Sequence, residues 1–149
     1  MNKAIQQSRI LFLDTLPLVR LLQMHPNYYS SVSEVLDMAY EKNLTILVSS
    51  VTLFEISKQA FSAHEGVLAR QYRDFFENSA NVVCCDVNPE ISVKAAELFA
   101  AAARSNHKLT DEESLRLATA FVKGADCIVT ECIAFRDATD ISVVTLDEI

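Results

Sequence analysis

The sequence predicts an α/β fold: a three-layer α/β/α sandwich with a mainly parallel central sheet. Short apolar runs alternate along the chain with longer segments whose apolar residues recur at helical spacing. The short runs are apolar at nearly every position, as expected of strands covered by helices on both faces. The 149 residues, 50% of them hydrophobic, suffice for one core but not for two ordinary domains, so we expect 1–149 to form a single domain.

This pattern defines five strands and six helices. The predicted strands are 9–14, 44–49, 81–87, 127–130 and 141–145. The predicted helices are 15–24, 30–43, 50–61, 65–79, 89–105 and 111–123. Thr15 is a possible cap of the first helix, with Pro17 tolerated in its first turn. Ser31 and Glu34 have the spacing of a capping box, which predicts that they open the second helix.

Composition and charge exclude several classes of protein. No apolar run reaches the ~18–20 residues that span a bilayer, and the N-terminal stretch does not read as a secretion leader, so we expect a cytoplasmic protein without a membrane segment. The four cysteines have no zinc-type spacing, and we expect them to be reduced. The formal net charge of −7 argues against nucleic-acid binding through a broad basic surface.

Acidic residues lie just beyond the carboxyl ends of several predicted strands. Asp14 closes the first strand, Glu55 lies about one turn into the helix after the second, and Glu131 follows the fourth. The carboxyl ends of parallel strands share one edge of a sheet, where ligands bind at the point at which strand order reverses. Glu113, in the first turn of the helix that begins at Asp111, joins this group if that helix starts at the same edge.

A cluster of carboxylates implies bound cations, because like charges repel unless something neutralises them. Oxygen ligands suit Mg²⁺ or Mn²⁺. The chemistry that most often uses such a cluster is phosphodiester hydrolysis, in which metal ions activate water and stabilise the leaving oxygen. The pattern therefore favours a local metal-dependent site for nucleic acid. A basic protein partner is the other use of the negative charge.

Four motifs follow one another along the chain: LFLDT at 11–15, VSSVTLFEI at 48–56, ESLRLATAFVKGADCIVTEC at 113–132 and ISVVTLDE at 141–148. Together they resemble the PIN-domain family, the fold of many prokaryotic toxin ribonucleases of the VapC type. The family has an acid opening a helix of the form D-A-x-x-x-A-T-A, then G-A-D before a strand, then T-N-D. The resemblance covers essentially the whole chain in the right order.

The resemblance implies specific roles at the predicted site. It makes Asp14 and Glu55 the first two catalytic acids and metal ligands, and Glu113 stands where the family usually has aspartate. At the fourth position, Cys132 replaces the usual aspartate and its neighbour Glu131 has gained a carboxylate, so Glu131 or water is expected to complete the metal shell. A thiol is a poor Mg²⁺ ligand because it is soft and mostly protonated at neutral pH.

Three of these acids also have a structural interpretation. Asp14 is placed to cap the helix that follows it. Glu55 lies three residues after Thr52, which is the spacing of a capping box. Glu113 lies three residues after Thr110 in the same relation. Capping alone would explain the two glutamates.

Two further residues are candidates for contacting substrate. Arg116 is able to bind phosphate, although its spacing also favours a helical ion pair with Glu113 or Glu112. Thr130 is placed to hydrogen-bond a ligand carboxylate, or else simply to satisfy the strand end. Glu131 also has an alternative to its role as a metal ligand, which is that of a solvent-exposed acid in a loop.

The predicted function is a PIN-type, Mg²⁺- or Mn²⁺-dependent endoribonuclease acting on RNA. The resemblance implies that it is the toxin of a toxin–antitoxin pair, with a small antitoxin protein as partner and a homodimer as assembly. The alternative is a catalytically degenerate PIN-fold protein that serves as a protein-binding module, which the cysteine at 132 supports. A phosphotransfer domain with Asp14 as phosphoryl acceptor is disfavoured, because a haloacid-dehalogenase-type site needs a second acid at the position of Leu16.

Overall fold

The computed structural model describes all 149 residues. The strands are β1 Ile10–Leu13, β2 Thr45–Ser49, β3 Val82–Cys85, β4 Cys127–Val129 and β5 Ser142–Val144. The helices are α1 Lys3–Gln7, α2 Thr15–Leu22, α3 Tyr29–Glu41, α4 Ser50–Ser62, α5 Gly66–Asn78, α6 Pro89–Arg104, α7 Asp111–Val122 and α8 Ala134–Ala138. A short 3₁₀ helix, Leu146–Glu148, follows β5.

The five strands form one sheet in the order β3-β2-β1-β4-β5, and every neighbouring pair is parallel. The chain moves outward from β1 to β3 and then returns to the other side of β1 as β4. Strand order therefore reverses between β1 and β4. In sheets of this kind the crevice outside the carboxyl ends of those two strands is the usual place for a binding site.

Helices cover both faces of the sheet, so the predicted three-layer architecture is confirmed. Alternate side chains of each central strand enter opposite cores, as the pleat requires. One core lies beneath α1 to α5 and takes from the central strands Leu11, Leu13, Ile46, Val48, Cys127 and Val129. The other lies beneath α6 to α8 and takes Phe12, Leu47 and Ile128. Because both faces are buried, the strands read as continuous apolar runs.

The elements depart from the sequence prediction in a few places. The short helices α1 and α8 were not predicted, since five residues are too few to establish a helical period. The predicted capping box at Ser31 is wrong, because α3 already begins at Tyr29 and has no side-chain cap. The Thr52 cap is also wrong, because α4 begins earlier and Ser49 accepts the amide hydrogen of Val51.

The end of α7 follows the sequence prediction. Gly124 has a φ of +73°, a left-handed conformation that glycine adopts without penalty, and it breaks the helix before β4. None of the helices combines the length and the apolar character that crossing a bilayer requires.

Candidate active site at the carboxyl edge of the sheet

A cleft of about 280 Å³ opens at the switch point of the sheet. Its walls come from the residues that follow β1 and β4 and from the first two turns of α4 and α7. The lining residues are Asp14, Thr15, Leu16, Glu55, Glu113, Arg116, Glu131 and Cys132. The structure thus brings all four predicted metal-binding acids and Arg116 to one cleft, and Thr130 lies directly behind it.

Asp14 is the most deeply buried acid of the cleft. It directly follows β1 and is only 2% exposed. Although it occupies the N-cap position of α2, its side chain makes no cap hydrogen bond. Instead its Oδ2 accepts a hydrogen bond of 2.6 Å from the Thr130 hydroxyl, and its Oδ1 lies 2.7 Å from Nε of Arg116. Capping therefore does not explain this carboxylate, and its partners come from α7 and from the end of the neighbouring strand β4.

Glu55 faces Asp14 from α4. Its Oε1 lies 2.5 Å from Nη1 of Arg116, and its Oε2 accepts a hydrogen bond of 2.9 Å from the Thr15 hydroxyl. Thr15 and Thr52 also lie 2.8 Å apart through their hydroxyl oxygens. Thr52 thus helps to orient Glu55 through a second hydroxyl, and it does not form a capping box with that acid.

Arg116 lies between the two carboxylates. Its side chain is 9% exposed and bridges Asp14 and Glu55 through different nitrogens. Burial lowers the pKa of Arg116, but the charges of Asp14 and Glu55 outweigh this effect and raise the pKa above its ordinary value. The guanidinium is therefore charged. It forms no ion pair within 4 Å with Glu112 or Glu113, which the helical spacing had favoured.

Glu113 does form the predicted capping box at the start of α7. Its Oε2 accepts the amide hydrogen of Thr110 at 2.9 Å, and its own amide donates to the Thr110 hydroxyl at 3.1 Å. The carboxylate also borders the cleft beside Cys132. Glu113 therefore has a structural role that leaves part of its carboxylate facing the site.

Positions 131 and 132 face different surroundings. Glu131 Oε1 accepts the amide hydrogen of Leu146 at 2.6 Å and so holds the start of the 3₁₀ helix. The Cys132 thiol lies toward the acids: burial first, and then the charges of Glu113 and Asp14, raise its pKa to about 11. The residue that replaces the expected fourth aspartate therefore points into the site as a neutral thiol at neutral pH.

The cleft contains the oxygen donors that a hard cation prefers, but these donors are not grouped closely enough to chelate one. Four carboxylates and one guanidinium give the lining a formal net charge of −3, and oxygen donors are those that Mg²⁺ and Mn²⁺ prefer. Yet no three acidic, histidine or cysteine side chains are grouped to hold a metal ion. Asp14 and Glu55 are instead neutralised in part by Arg116.

Sequence reasoning missed two residues of the site. Thr15 was predicted only as a possible cap and Thr52 only as a capping partner, whereas together they hold Glu55 in place. A hydroxyl immediately after a strand-terminal acid was the available signal for Thr15. The pairing of two residues 37 positions apart depends on the tertiary fold.

An all-parallel five-stranded sheet between two helical layers, with an acidic cleft at its switch point, is the architecture of a PIN domain. The chain has this fold. Its structure superposes on that of VapBC2 from Rickettsia felis, which was solved bound to a DNA fragment from the VapBC2 promoter. The TM-score is 0.72 and the sequence identity 20%, with 91% of this chain and 98% of that chain covered.

Other solved structures agree with this comparison. FitAcB from Neisseria gonorrhoeae gives a TM-score of 0.69 at 15% identity, with 93% of this chain and 99% of that chain covered. VapC20 from Mycobacterium tuberculosis, described as a sarcin-ricin loop cleaving toxin, gives 0.66 at 14% identity, with 86% and 94% covered. No protein-family model matches the sequence, and no curated protein matches it. At these identities the likeness establishes the fold.

Proposed function

We propose that this chain is a metal-dependent ribonuclease of PIN type and the toxin of a toxin–antitoxin pair. The observation that carries the proposal is the convergence of Asp14, Glu55 and Glu113, from three separate elements, on one cleft at the switch point of the sheet. Structural similarity to VapBC and FitAB complexes and to an RNA-cleaving toxin supports the same assignment.

The charge of the cleft supports metal dependence. A lining with a formal net charge of −3 repels the phosphates of RNA unless a cation lies between them. Asp14, Glu55 and Glu113 would hold Mg²⁺ or Mn²⁺, with Glu131 or water completing the shell. When bound, such an ion supplies an activated water and charge stabilisation of the leaving oxygen.

The protein's own residues prepare this site in advance. Thr130 fixes one oxygen of Asp14, and Thr15 fixes one oxygen of Glu55, so neither carboxylate is free to rotate. Arg116 is the one cationic side chain of the cleft and would contact a phosphate oxygen of the substrate. Such ordering before substrate arrives lowers the cost of reaching the reactive geometry.

The partners form part of the same proposal. Leu16 at the cleft and Phe54 beside Glu55 are 40% and 58% exposed, and exposed apolar side chains next to an acidic cleft suit a small protein with apolar and basic residues. We assign that role to an antitoxin, with the toxin as a homodimer in the cytoplasm and 1–149 as its single domain. Light scattering of the purified chain tests the dimer.

Cleavage of a single-stranded RNA by the purified chain tests the proposal directly. With Mn²⁺ or Mg²⁺ we expect fragments that disappear in excess EDTA. Expression of the wild type in a bacterial host is expected to stop growth, whereas Asp14→Asn is expected to be harmless. RNA left intact under all metal conditions, by a protein shown to be folded, would overturn the assignment.

A catalytically degenerate binding module is the second candidate. It is favoured by Arg116, which partly neutralises Asp14 and Glu55 without a metal ion, and by the thiol of Cys132 at the fourth position. This candidate predicts a folded protein whose melting temperature does not respond to divalent cations.

A further inference from the structure

Arg116 is an unusual residue for its place on α7. The helix turns Ser114, Leu117, Ala118 and Ala120 inward, and all of them are buried. A guanidinium on such a face is unfavourable unless it is paired, because moving a charge out of water costs several kcal/mol. The sequence places it there together with two acids that meet it from β1 and α4.

The geometry makes Arg116 the counter-ion of the site. Nε and Nη1 reach Oδ1 of Asp14 and Oε1 of Glu55 at 2.7 and 2.5 Å, so one guanidinium bridges the two carboxylates. The second oxygen of each acid is held by a threonine hydroxyl. With Arg116 in this position every oxygen of the pair has a protein partner, which agrees with the lack of a ready-made group of metal ligands.

We propose that Arg116 is a built-in cation that competes with the divalent metal ion for Asp14 and Glu55. The inference rests on the proposed function and adds a regulatory step to it. A metal ion must displace the guanidinium from at least one carboxylate before it binds both. Arg116 thus stabilises the metal-free protein and lowers the metal affinity of the site.

The test compares Arg116→Met with the wild type and with Arg73→Met. Methionine keeps an unbranched apolar stem in place of the arginine methylenes but removes the charge. Arg73 is a matched control because it forms an exposed i,i+4 pair with Glu77 on α5, a helix that contributes nothing to the cleft. Each protein is titrated with Mn²⁺ by calorimetry and melted in EDTA and in Mn²⁺.

We expect Arg116→Met to bind Mn²⁺ at least tenfold more tightly than the wild type and Arg73→Met. It should melt at a lower temperature in EDTA, because it leaves two uncompensated carboxylates, and Mn²⁺ should restore the loss. If it does not fold in EDTA, it is purified in Mn²⁺. Arg116→Lys then provides the comparison, since it keeps the positive charge but is shorter and lacks the rigid fork of nitrogens with which arginine reaches both acids, and its affinity should lie between the other two.

The possible results separate this inference from the proposed function. If the wild type binds Mn²⁺ and Arg116→Met binds it equally or more weakly, the competition is wrong and the nuclease proposal stands. If only Arg116→Met binds, the competition is correct, and the guanidinium has replaced the metal in the wild type, which contradicts the nuclease proposal. If neither binds, both are wrong.

Discussion

An aspartate lies at the amino end of the central strands and another at their carboxyl end. Backbone amides donate hydrogen bonds to the first, whereas side chains bind the second. At the amino end, Asp126 precedes β4, is exposed, and accepts hydrogen bonds of 2.8 and 2.9 Å from the backbone amides of Arg9 and Ile10. At the carboxyl end, Asp14 follows β1, is 2% exposed, and is held by the side chains of Arg116 and Thr130. Both acids join β1 to β4, but only one is buried against another charge.

This difference separates a structural acid from a candidate functional one. Backbone amides satisfy Asp126 where the strands begin, and nothing else is needed to explain it. Asp14 needs a buried arginine, which lies 102 positions away in the sequence and whose own burial is unfavourable without that partner. Apolar packing would fill the same space with no charge to compensate, so a buried pair beside a cleft marks Asp14 as a candidate functional residue.

The largest effect is expected from Asp14→Asn. The loss of one negative charge from a site of few ligands should abolish Mn²⁺-dependent stabilisation. It should also reduce RNA cleavage by about 100-fold or more, the upper range for losing even a partner of a metal ligand. Melting curves in EDTA and Mn²⁺, with cleavage assays on the same preparations, measure both effects.

Asp126→Ala is the matched control at the other end of the strands. It removes two hydrogen bonds to a charged acceptor and should lower the free energy of unfolding by about 1–2 kcal/mol. Cleavage by the folded fraction and the Mn²⁺ shift should both remain at wild-type values. Similar melting shifts with Mn²⁺ in Asp14→Asn and the wild type would contradict the division between the two ends.

Glu113→Gln should separate capping from metal binding at one residue. The amide still accepts the hydrogen bond from Thr110, so the free energy of unfolding should change by less than about 0.5 kcal/mol. Because an amide is a weaker ligand for Mg²⁺, cleavage should fall about tenfold or more. Cleavage that persists while the protein loses stability would mean that Glu113 only caps α7.

The smallest effect is expected at the edge of the cleft. Cys132→Asp places a carboxylate beside Glu113 and should raise Mn²⁺ affinity and cleavage by up to about tenfold. Glu131→Gln should change little, because its carbonyl oxygen still accepts the amide hydrogen of Leu146. Loss of cleavage in Glu131→Gln, with no gain in Cys132→Asp, would instead assign the fourth ligand to Glu131.

The fold was predictable because its determinants are local and repeated. Five apolar runs separated by helical patterns indicate a covered parallel sheet, and the positive φ of Gly124 follows from its place after α7. The errors are also local. Ser31 and Thr52 lie inside helices that begin earlier than the capping pattern suggested, since tertiary contacts set those boundaries.

The candidate site was predictable only in part. Its acids follow strands, so the shared carboxyl edge brings Asp14 and Glu55 together in any parallel sheet. The acids that pair with Arg116 were not predictable, because helical spacing offers Glu112 and Glu113 nearby, and only the packing of α7 against α4 and β2 turns the side chain inward. The orientation of the Cys132 side chain was not predictable either, because it depends on the backbone conformation of the residues that follow β4.

The most direct test of a metal site at the carboxyl edge is a crystal structure of the wild type soaked in Mn²⁺, with anomalous diffraction used to locate the ion. We expect one Mn²⁺ in the cleft, about 2.1 Å from a carboxylate oxygen of Asp14, with the guanidinium of Arg116 moved away from Asp14 or Glu55. A cleft without Mn²⁺ at saturating concentration, with Arg116 still bridging both acids, would contradict the account.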